Sequence, residues 1–345
     1  MSPAPSTSKL VLITGVSGFV GSATTLEFLQ KGWRVRGTVR SQAKADAWLK
    51  KYPEHANNIE FVIVKELAED GAFDEAIKGV DAVAHTASPF FTTFKDNVKD
   101  MLEPALKGTT SILKAAKSEP SVKSVVITSS LAAAQDISKG DDVGFTRTSE
   151  VWSPFVWEEA CLFKVPIFTY LASKTFAEKA AWKFVEEEKP HFTMSTIVPP
   201  IILGPALQPV QSLSDLNLSA AAIWSIVDAE EIPMTAVPVF INVIDVAKAH
   251  YEAIARATSN RYLFIGGENS NSEIARILKE EFPEQAHRIP TKEAVGATPN
   301  PHWSWDSSPA ERELGIQYTS LRDTVKAAGQ QLFSAEKALR LGGQV

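Results

Sequence analysis

The chain has 345 residues, 44% of them hydrophobic and 22% charged, with a formal net charge of −6. That suffices for one large globular unit or two moderate ones, so burying a core is not limiting. The mixed, slightly acidic charge offers none of the clustered Lys and Arg that nucleic-acid binding draws on, and no apolar run reaches the ~18 residues of a membrane-spanning helix.

Residues 1–8, rich in Pro, Ser and Ala, lack the basic start and apolar centre of a signal peptide and read as a loose tail. The single cysteine, Cys161, has no cysteine to pair with and no metal-like cluster around it. A reducing, cytoplasmic setting is therefore the default, with Cys161 as a packing residue and no metal expected.

Leu10-Val11-Leu12-Ile13 is short, branched and unbroken, as a strand buried on both faces of a parallel sheet should be. Thr14-Gly15-Val16-Ser17-Gly18-Phe19-Val20-Gly21 follows, and then a helical stretch to Lys31 that Gly32 stops. The glycines thus sit at a strand-to-helix turn. There Gly15 can turn tightly, Gly18 lets backbone approach a pyrophosphate, and Gly21 lets the helix pack on the strand. The helix N-terminus then meets the phosphate charge.

Trp33–Arg40 reads as the second strand. No Asp or Glu lies between Gly32 and Lys44 to receive the ribose hydroxyls of NAD; Arg40, with Lys44 nearby, suits the extra phosphate of NADP. Ile59–Val64 is a third strand, 71–79 a short helix with Phe73, Ala76 and Ile77 on one side, and Val80–His85 a fourth strand. At its end, the small residues Thr86, Ala87 and Ser88 could let backbone approach a cofactor ribose. His85 closes a buried strand without an Asp or Ser beside it in sequence and reads as structural.

A long helix over 96–117 and a fifth strand over 122–130, ending in Thr128-Ser129-Ser130, come next. An irregular aromatic segment at 140–166 leads into a helix from Tyr170 through Val185, where Tyr170 and Lys174 share a face at i and i+4. Carbonyl reduction needs a proton donor, and a cation beside a tyrosine should bring its pKa down from ~10. Phe192–Val198 is a sixth strand, after which the strand–helix alternation weakens. Residues 213–227 contain a helix, further helices follow at 245–257, 271–282 and 321–332, and strand-like stretches lie at 237–243 and 262–265. The expected fold is α/β, a Rossmann-type doubly wound parallel sheet with helices on both faces. Residues 9–200 would form the dinucleotide-binding domain, and 201–345 mostly a substrate-binding lobe with segments returning to the sheet.

Gly15-x-x-Gly18-Phe19-x-Gly21, the strand end at Ser130 and Tyr170-x-x-x-Lys174 resemble the extended short-chain dehydrogenase/reductases. His85-Thr86-Ala87-Ser88-Pro89-Phe90, Thr128-Ser129-Ser130 and Ser173 through Trp182 resemble, more narrowly, the dihydroflavonol-reductase-like branch and its fungal NADPH-dependent carbonyl reductases. The resemblance implies that Ser130 hydrogen-bonds the substrate carbonyl, that Tyr170 protonates the developing alkoxide, and that Lys174 binds the nicotinamide ribose and lowers the Tyr170 pKa. It implies an NADPH site lined by Gly15, Ser17, Gly18, Phe19, Val20, Gly21, Arg40, Lys44, Glu66, Leu67, Thr86, Ala87, Ser88, Thr128, Ser129, Pro199, Ile201 and Ile202. Glu66 stands where the family commonly has Asp for the adenine amino group. On the substrate side it implies Phe90, Leu131, Ile167, Ile201 and Trp224, a greasy pocket for a bulky ketone or aldehyde. Leu171 after the tyrosine, and Ala105–Thr109 in place of Asn-Val-x-Gly-Thr, argue against a sugar epimerase or dehydratase. The expected function is NADPH-dependent carbonyl reduction by a monomer or homodimer. The alternatives are a steroid, flavonoid or nucleotide-sugar enzyme on the same scaffold, or a non-catalytic NADP(H) sensor.

Overall fold

The structure is a computed structural model that describes residues 8–88, 94–210, 212–213 and 216–340. The chain opens with strand β1 (Leu10–Thr14), helix α1 (Phe19–Gln30), β2 (Arg34–Val39), α2 (Gln42–Lys51), β3 (Ile59–Ile63) and β4 (Ala82–His85). It continues with α3 (Glu103–Ser118), β5 (Ser124–Thr128), the two-residue β6 (Thr146–Arg147), the short α4 (Trp157–Ala160), the long α5 (Pro166–Glu188), β7 (Thr193–Val198) and β8 (Ile201–Leu203). The remainder is α6 (Leu218–Trp224), β9 (Val239–Asn242), α7 (Val243–Ala255), β10 (Arg261–Leu263), β11 (Gly267–Glu268), α8 (Asn271–Glu281), β12 (Ser304–Trp305), α9 (Ser308–Leu314) and α10 (Leu321–Arg340).

Seven strands form one parallel sheet in the order β10-β7-β5-β4-β1-β2-β3. All five residues of β1 are buried, and their alternation assigns the two faces. Val11 and Ile13 pack with Phe28 of α1, Trp48 of α2 and Val246 of α7, whereas Leu10 and Leu12 pack with Ile112 of α3 and Ala181 of α5. Helices therefore cover both faces, and an unbroken apolar strand is the result. The strand order reverses between β1 and β4, so a crevice opens there beyond the carboxyl ends of the strands. Residues beyond β8 build a second apolar cluster, in which Leu203, Ile223, Ile277 and Leu332 surround Phe240 and Phe19. β8, β9 and β11 form a three-stranded sheet there, and β12 pairs with β6.

Several elements differ from their sequence reading. Residues 71–79 are consecutive turns bounded by Gly71 and Gly79, both at positive φ (+75° and +68°), rather than a helix; Phe73, Ala76 and Ile77 are nonetheless buried. The helix expected over 96–117 begins with a π-turn at Val98–Leu102 and becomes α-helical at Glu103. Pro104 has no N–H to give the carbonyl of Asp100, so the regular ladder cannot extend through it. The helix expected within 213–227 is found at Leu218–Trp224, whereas α9 has no counterpart in the sequence reading.

Candidate active site

The β1–α1 turn forms a cradle. Gly15 has φ +72°, and a Cβ on Gly21 would lie 2.1 Å from the Gly15 carbonyl oxygen, so only glycine lets the first turn of α1 sit on the strand end. The Gly18 N–H donates to that same carbonyl at 2.9 Å. Gly18 is the N-cap of α1 and no side chain caps the helix, so backbone donors at its start stay open to an anion. Phe19 buries its ring in the second apolar cluster, while Ser17 and Val20 are partly exposed. A pyrophosphate fits this cradle of missing Cβ atoms, backbone donors and a helix dipole.

Thr14 closes the crevice floor. Its hydroxyl meets His85 Nδ1 at 2.9 Å and accepts from the N–H groups of Thr86 and Ala87 at 3.1 and 3.0 Å, while the Thr86 hydroxyl donates to the Thr14 carbonyl at 2.6 Å. Burial, with the Lys174 charge nearby, pushes His85 down to about 3. His85 is thus a neutral structural residue, as expected from its strand position. Thr38 steadies the other side, its hydroxyl accepting from Gly15 N–H at 3.1 Å. Arg40 and Lys44 are exposed, and their side chains have no partner among the described residues. Glu66 is exposed, whereas Leu67 is partly buried against Gly108 of α3.

The end of β5 carries three hydroxyls with different attachments. Thr128 Oγ1 is 2.7 Å from His250 Nε2; His250 Nδ1–H donates to the Val246 carbonyl, so Nε2 accepts from Thr128. Burial holds His250 down to about 4. Ser129 donates to Glu178 Oε2 at 2.6 Å. The side chains of Thr128 and Ser129 are therefore engaged away from the crevice. Ser130 is partly exposed, and its oxygen accepts from the Ala132 N–H at 3.2 Å, capping the 3-10 turn Leu131–Ala134.

Helix α5 packs on that turn, with Thr175 Oγ1 donating to the Ala132 carbonyl at 3.3 Å. Pro166 starts the helix, which makes the i, i+4 relation of Tyr170 and Lys174 real: Lys174 Nζ lies 5.4 Å from the Tyr170 ring centroid. Lys174 Nζ also donates to the Ser88 hydroxyl, joining α5 to the end of β4. The electrostatics correct one expectation. Burial raises Tyr170 to about 12 and lowers Lys174 to about 8, so the cation does not bring the tyrosine toward neutrality. Tyr170 is held as the neutral phenol, the form that can give a proton.

The substrate-side residues are dispersed. Phe90 lies outside the described residues. Leu131 is 4% exposed and belongs to a core cluster with Val198, Val239 and Leu263. Trp224 stacks edge-on against Phe333 of α10 at 5.7 Å with the Arg288 guanidinium over its face, which places it in the packing of the C-terminal helices. Ile167 and Phe168 are 50% and 39% exposed at the start of α5, beside Tyr170. Pro199 accepts from the Leu131 N–H at 2.7 Å, next to the Ser130 turn, and Ile201 and Ile202 of β8 are partly buried against the second apolar cluster.

The sequence reading gave no site role to the side chains of Thr14, Thr38, Asn97 and Arg261. The Asn97 amide donates to the carbonyls of Ala160, Cys161 and Phe163 and pins the segment before α5. A buried polar residue at a strand end is a signal for Thr14, but nothing in one sequence pairs Asn97 with residues more than sixty positions away.

A doubly wound sheet with a glycine cradle after β1 and a Ser–Tyr–Lys set across the crevice defines a dinucleotide-dependent protein of the short-chain dehydrogenase/reductase type. Residues 11–266 match the model of the NAD dependent epimerase/dehydratase family, and the chain belongs to that family. Among curated proteins, it is 34% identical to a putative NADPH-dependent methylglyoxal reductase, GRP2, of Candida albicans, over 95% of this chain and 99% of that one. It is 36% identical to the ketoreductase azaE of Aspergillus niger, over 93% of this chain and 96% of that one. Among solved structures, yeast methylglyoxal/isovaleraldehyde reductase Gre2 complexed with NADPH superposes with a TM-score of 0.87 at 30% identity, covering 95% of this chain and 99% of that chain.

Proposed function

We propose that this protein reduces ketones and aldehydes to alcohols with NADPH. It is an oxidoreductase whose cofactor is NADPH, in keeping with relatives named as NADPH-dependent reductases and with a fold neighbour complexed with NADPH. The observation that carries the finer reading is helix α5, which sets a neutral Tyr170 and the Lys174 ammonium beside the Ser130 turn, with Lys174 reaching Ser88.

With its pyrophosphate held by the Gly15–Gly21 cradle, NADPH would supply the hydride for the carbonyl carbon. Ser130 donates a hydrogen bond to the carbonyl oxygen and orients it. Tyr170 gives its phenolic proton to that oxygen as negative charge develops, and Lys174 stabilises the phenolate left behind. Arg40 and Lys44 would hold the 2′-phosphate of the cofactor. Ile167 and Phe168 present an apolar lip beside Tyr170, which favours a bulky alkyl or aryl substituent.

The test is Tyr170→Phe, assayed by NADPH oxidation against a panel of keto esters, diketones and aryl aldehydes. Loss of a general acid is expected to cut kcat by ~10²–10⁴, while NADPH affinity by fluorescence titration stays within about two-fold. Turnover at the wild-type rate would sink the assignment.

A further inference from the structure

Behind the Ser130 turn lies a buried ion pair that the chemistry above does not use. Glu178 and Arg261 are 2% and 7% exposed, and Arg261 Nε donates to Glu178 Oε1 at 2.9 Å. Glu178 Oε1 also accepts from Thr196 at 2.7 Å and from the Trp182 indole at 3.4 Å; Oε2 accepts from Ser129 at 2.6 Å and from Arg261 Nη2 at 3.3 Å. The rest of the guanidinium is spent on backbone: Nη1 on the carbonyls of Ser149 and Val151 at 2.5 and 2.7 Å, Nη2 on Ala133 at 3.2 Å. All five N–H groups of the arginine thus have acceptors. The Trp152 ring lies against its face, 3.9 Å from centroid to guanidinium carbon.

Such a pair is a weak source of stability, because desolvating two charges offsets most of their attraction and an apolar pair of similar volume often serves as well. What this pair does is join elements. Glu178 stands one turn beyond Lys174 on α5, and Ser129 immediately precedes Ser130. Ala133, whose carbonyl Arg261 binds, donates its own N–H to the Ser130 carbonyl at 2.9 Å. The network therefore grips the serine turn on both sides and the tyrosine–lysine helix on its inner face, from strands β7 and β10.

We propose that Glu178 and Arg261 are positioning residues that fix Ser130 relative to Tyr170 and Lys174. The inference rests on the catalytic reading of those three residues given above. A misplacement of ~1 Å at a reacting centre costs up to about 10²-fold in rate, so slackening this grip reads out in kcat. Glu178→Gln, which turns one acceptor into a donor facing donors, and Arg261→Lys, which offers one ammonium where five N–H groups were used, are each expected to lower kcat by about ten- to a hundred-fold. NADPH affinity should stay within about two-fold, because the cradle lies on β1 and α1.

The double variant Glu178→Leu/Arg261→Met separates positioning from folding. It removes both buried charges together and is expected to fold with a lowered melting temperature, because Ser129, Thr196 and the Ser149, Val151 and Ala133 carbonyls lose these partners, while kcat of the folded protein stays at least about ten-fold down. Recovery of kcat to within about two-fold of wild type would overturn the proposal. If the double variant does not fold, Ser129→Ala decides, because it removes one donor and leaves the pair in place. A drop in kcat of about three- to ten-fold at an unchanged melting temperature supports the proposal, and an unchanged kcat overturns it. Tyr170→Phe is run alongside. Should it remain active, both readings fall; should it be dead while the network variants turn over normally, only the positioning role falls.

Discussion

Gly21→Ala tests the cradle directly. The added methyl would meet the Gly15 carbonyl oxygen at 2.1 Å, its carbon at 2.8 Å and Thr86 Oγ1 at 3.1 Å. Non-bonded contacts relax only beyond ~3 Å, so the first turn of α1 and the strand end must part by about 1 Å. Overpacking of this kind costs ~1–3 kcal/mol. The displaced carbonyl belongs to Gly15, whose positive φ shapes the approach to a pyrophosphate, so part of that cost falls on the bound state. At ~1.4 kcal/mol per tenfold, NADPH binding should weaken by more than two-fold and at most about 150-fold. Gly32→Ala is the control: at φ +80° with nothing within 4 Å of its Cβ position, it carries backbone strain without crowding, far from the cradle. It should lower the melting temperature and leave affinity alone. Titration of NADPH fluorescence with each purified variant decides the matter. A Gly21→Ala protein that is folded and binds NADPH within about two-fold of wild type would refute the steric reasoning.

Arg40→Ala should lower kcat/KM with NADPH by at least about tenfold and leave NADH turnover nearly unchanged, narrowing the preference between the two; an unaltered ratio removes the 2′-phosphate role from Arg40. The pH dependence of kcat/KM for NADPH reports free-enzyme groups. Because burial lowers Lys174 to about 8, it is cationic below that pH and loses its charge above it, so kcat/KM should fall as pH rises through about 8, and Lys174→Met should abolish that limb. Tyr170, at about 12, adds no break in that range. Burial also depresses His250 from 6.5 to about 4, so the unfolded chain binds a proton there that the folded chain refuses. Its contribution is whole above pH 6.5 and drains away as pH falls to about 4, on the order of 3 kcal/mol across that window. Urea unfolding midpoints between pH 4 and 7 should show the loss, and His250→Gln should make it shallower, with His85, also held low by burial, keeping its own share; equal slopes for the two proteins would contradict this.

Much of the architecture could be read because it is local. The branched run before Gly15 specified a strand buried on both faces, and the spacing of Gly15, Gly18 and Gly21 specified the turn; both hold in the structure to the level of a single Cβ. Tyr170 and Lys174 were findable because four residues in a helix is one turn. What spacing does not convey is burial. It brought the lysine near the phenol but could not reveal that desolvation outweighs the ammonium and sends the tyrosine upward. Leu131 and Trp224, transferred by likeness as substrate neighbours, pack with core partners whose presence depends on β10, α10 and the Arg288 side chain. The Arg261 to Glu178 contact spans 83 positions, and a single sequence carries no mark of such a pairing. At 71–79 the apolar spacing is helical, but the backbone runs as consecutive turns between two positive-φ glycines, and spacing alone does not separate the two.

The edge of the main sheet has a bearing on how the protein is made. β7 ends at Val198, but its outer neighbour β10 begins only at Arg261, so the two strands that finish the sheet are separated by the whole of β8, α6, β9 and α7. During synthesis at ~5–20 residues per second, the nascent chain carries β7 as an open edge for on the order of ten seconds. Such an edge is a template for pairing with another chain. Until residue 261 emerges, moreover, Glu178 is a carboxylate in an apolar setting without its countercharge. The amino-terminal half is therefore not a self-sufficient folding unit. Translation halted shortly after Pro199 should yield aggregating, chaperone-bound fragments, and translation carried past Leu263 a chain able to close its own sheet.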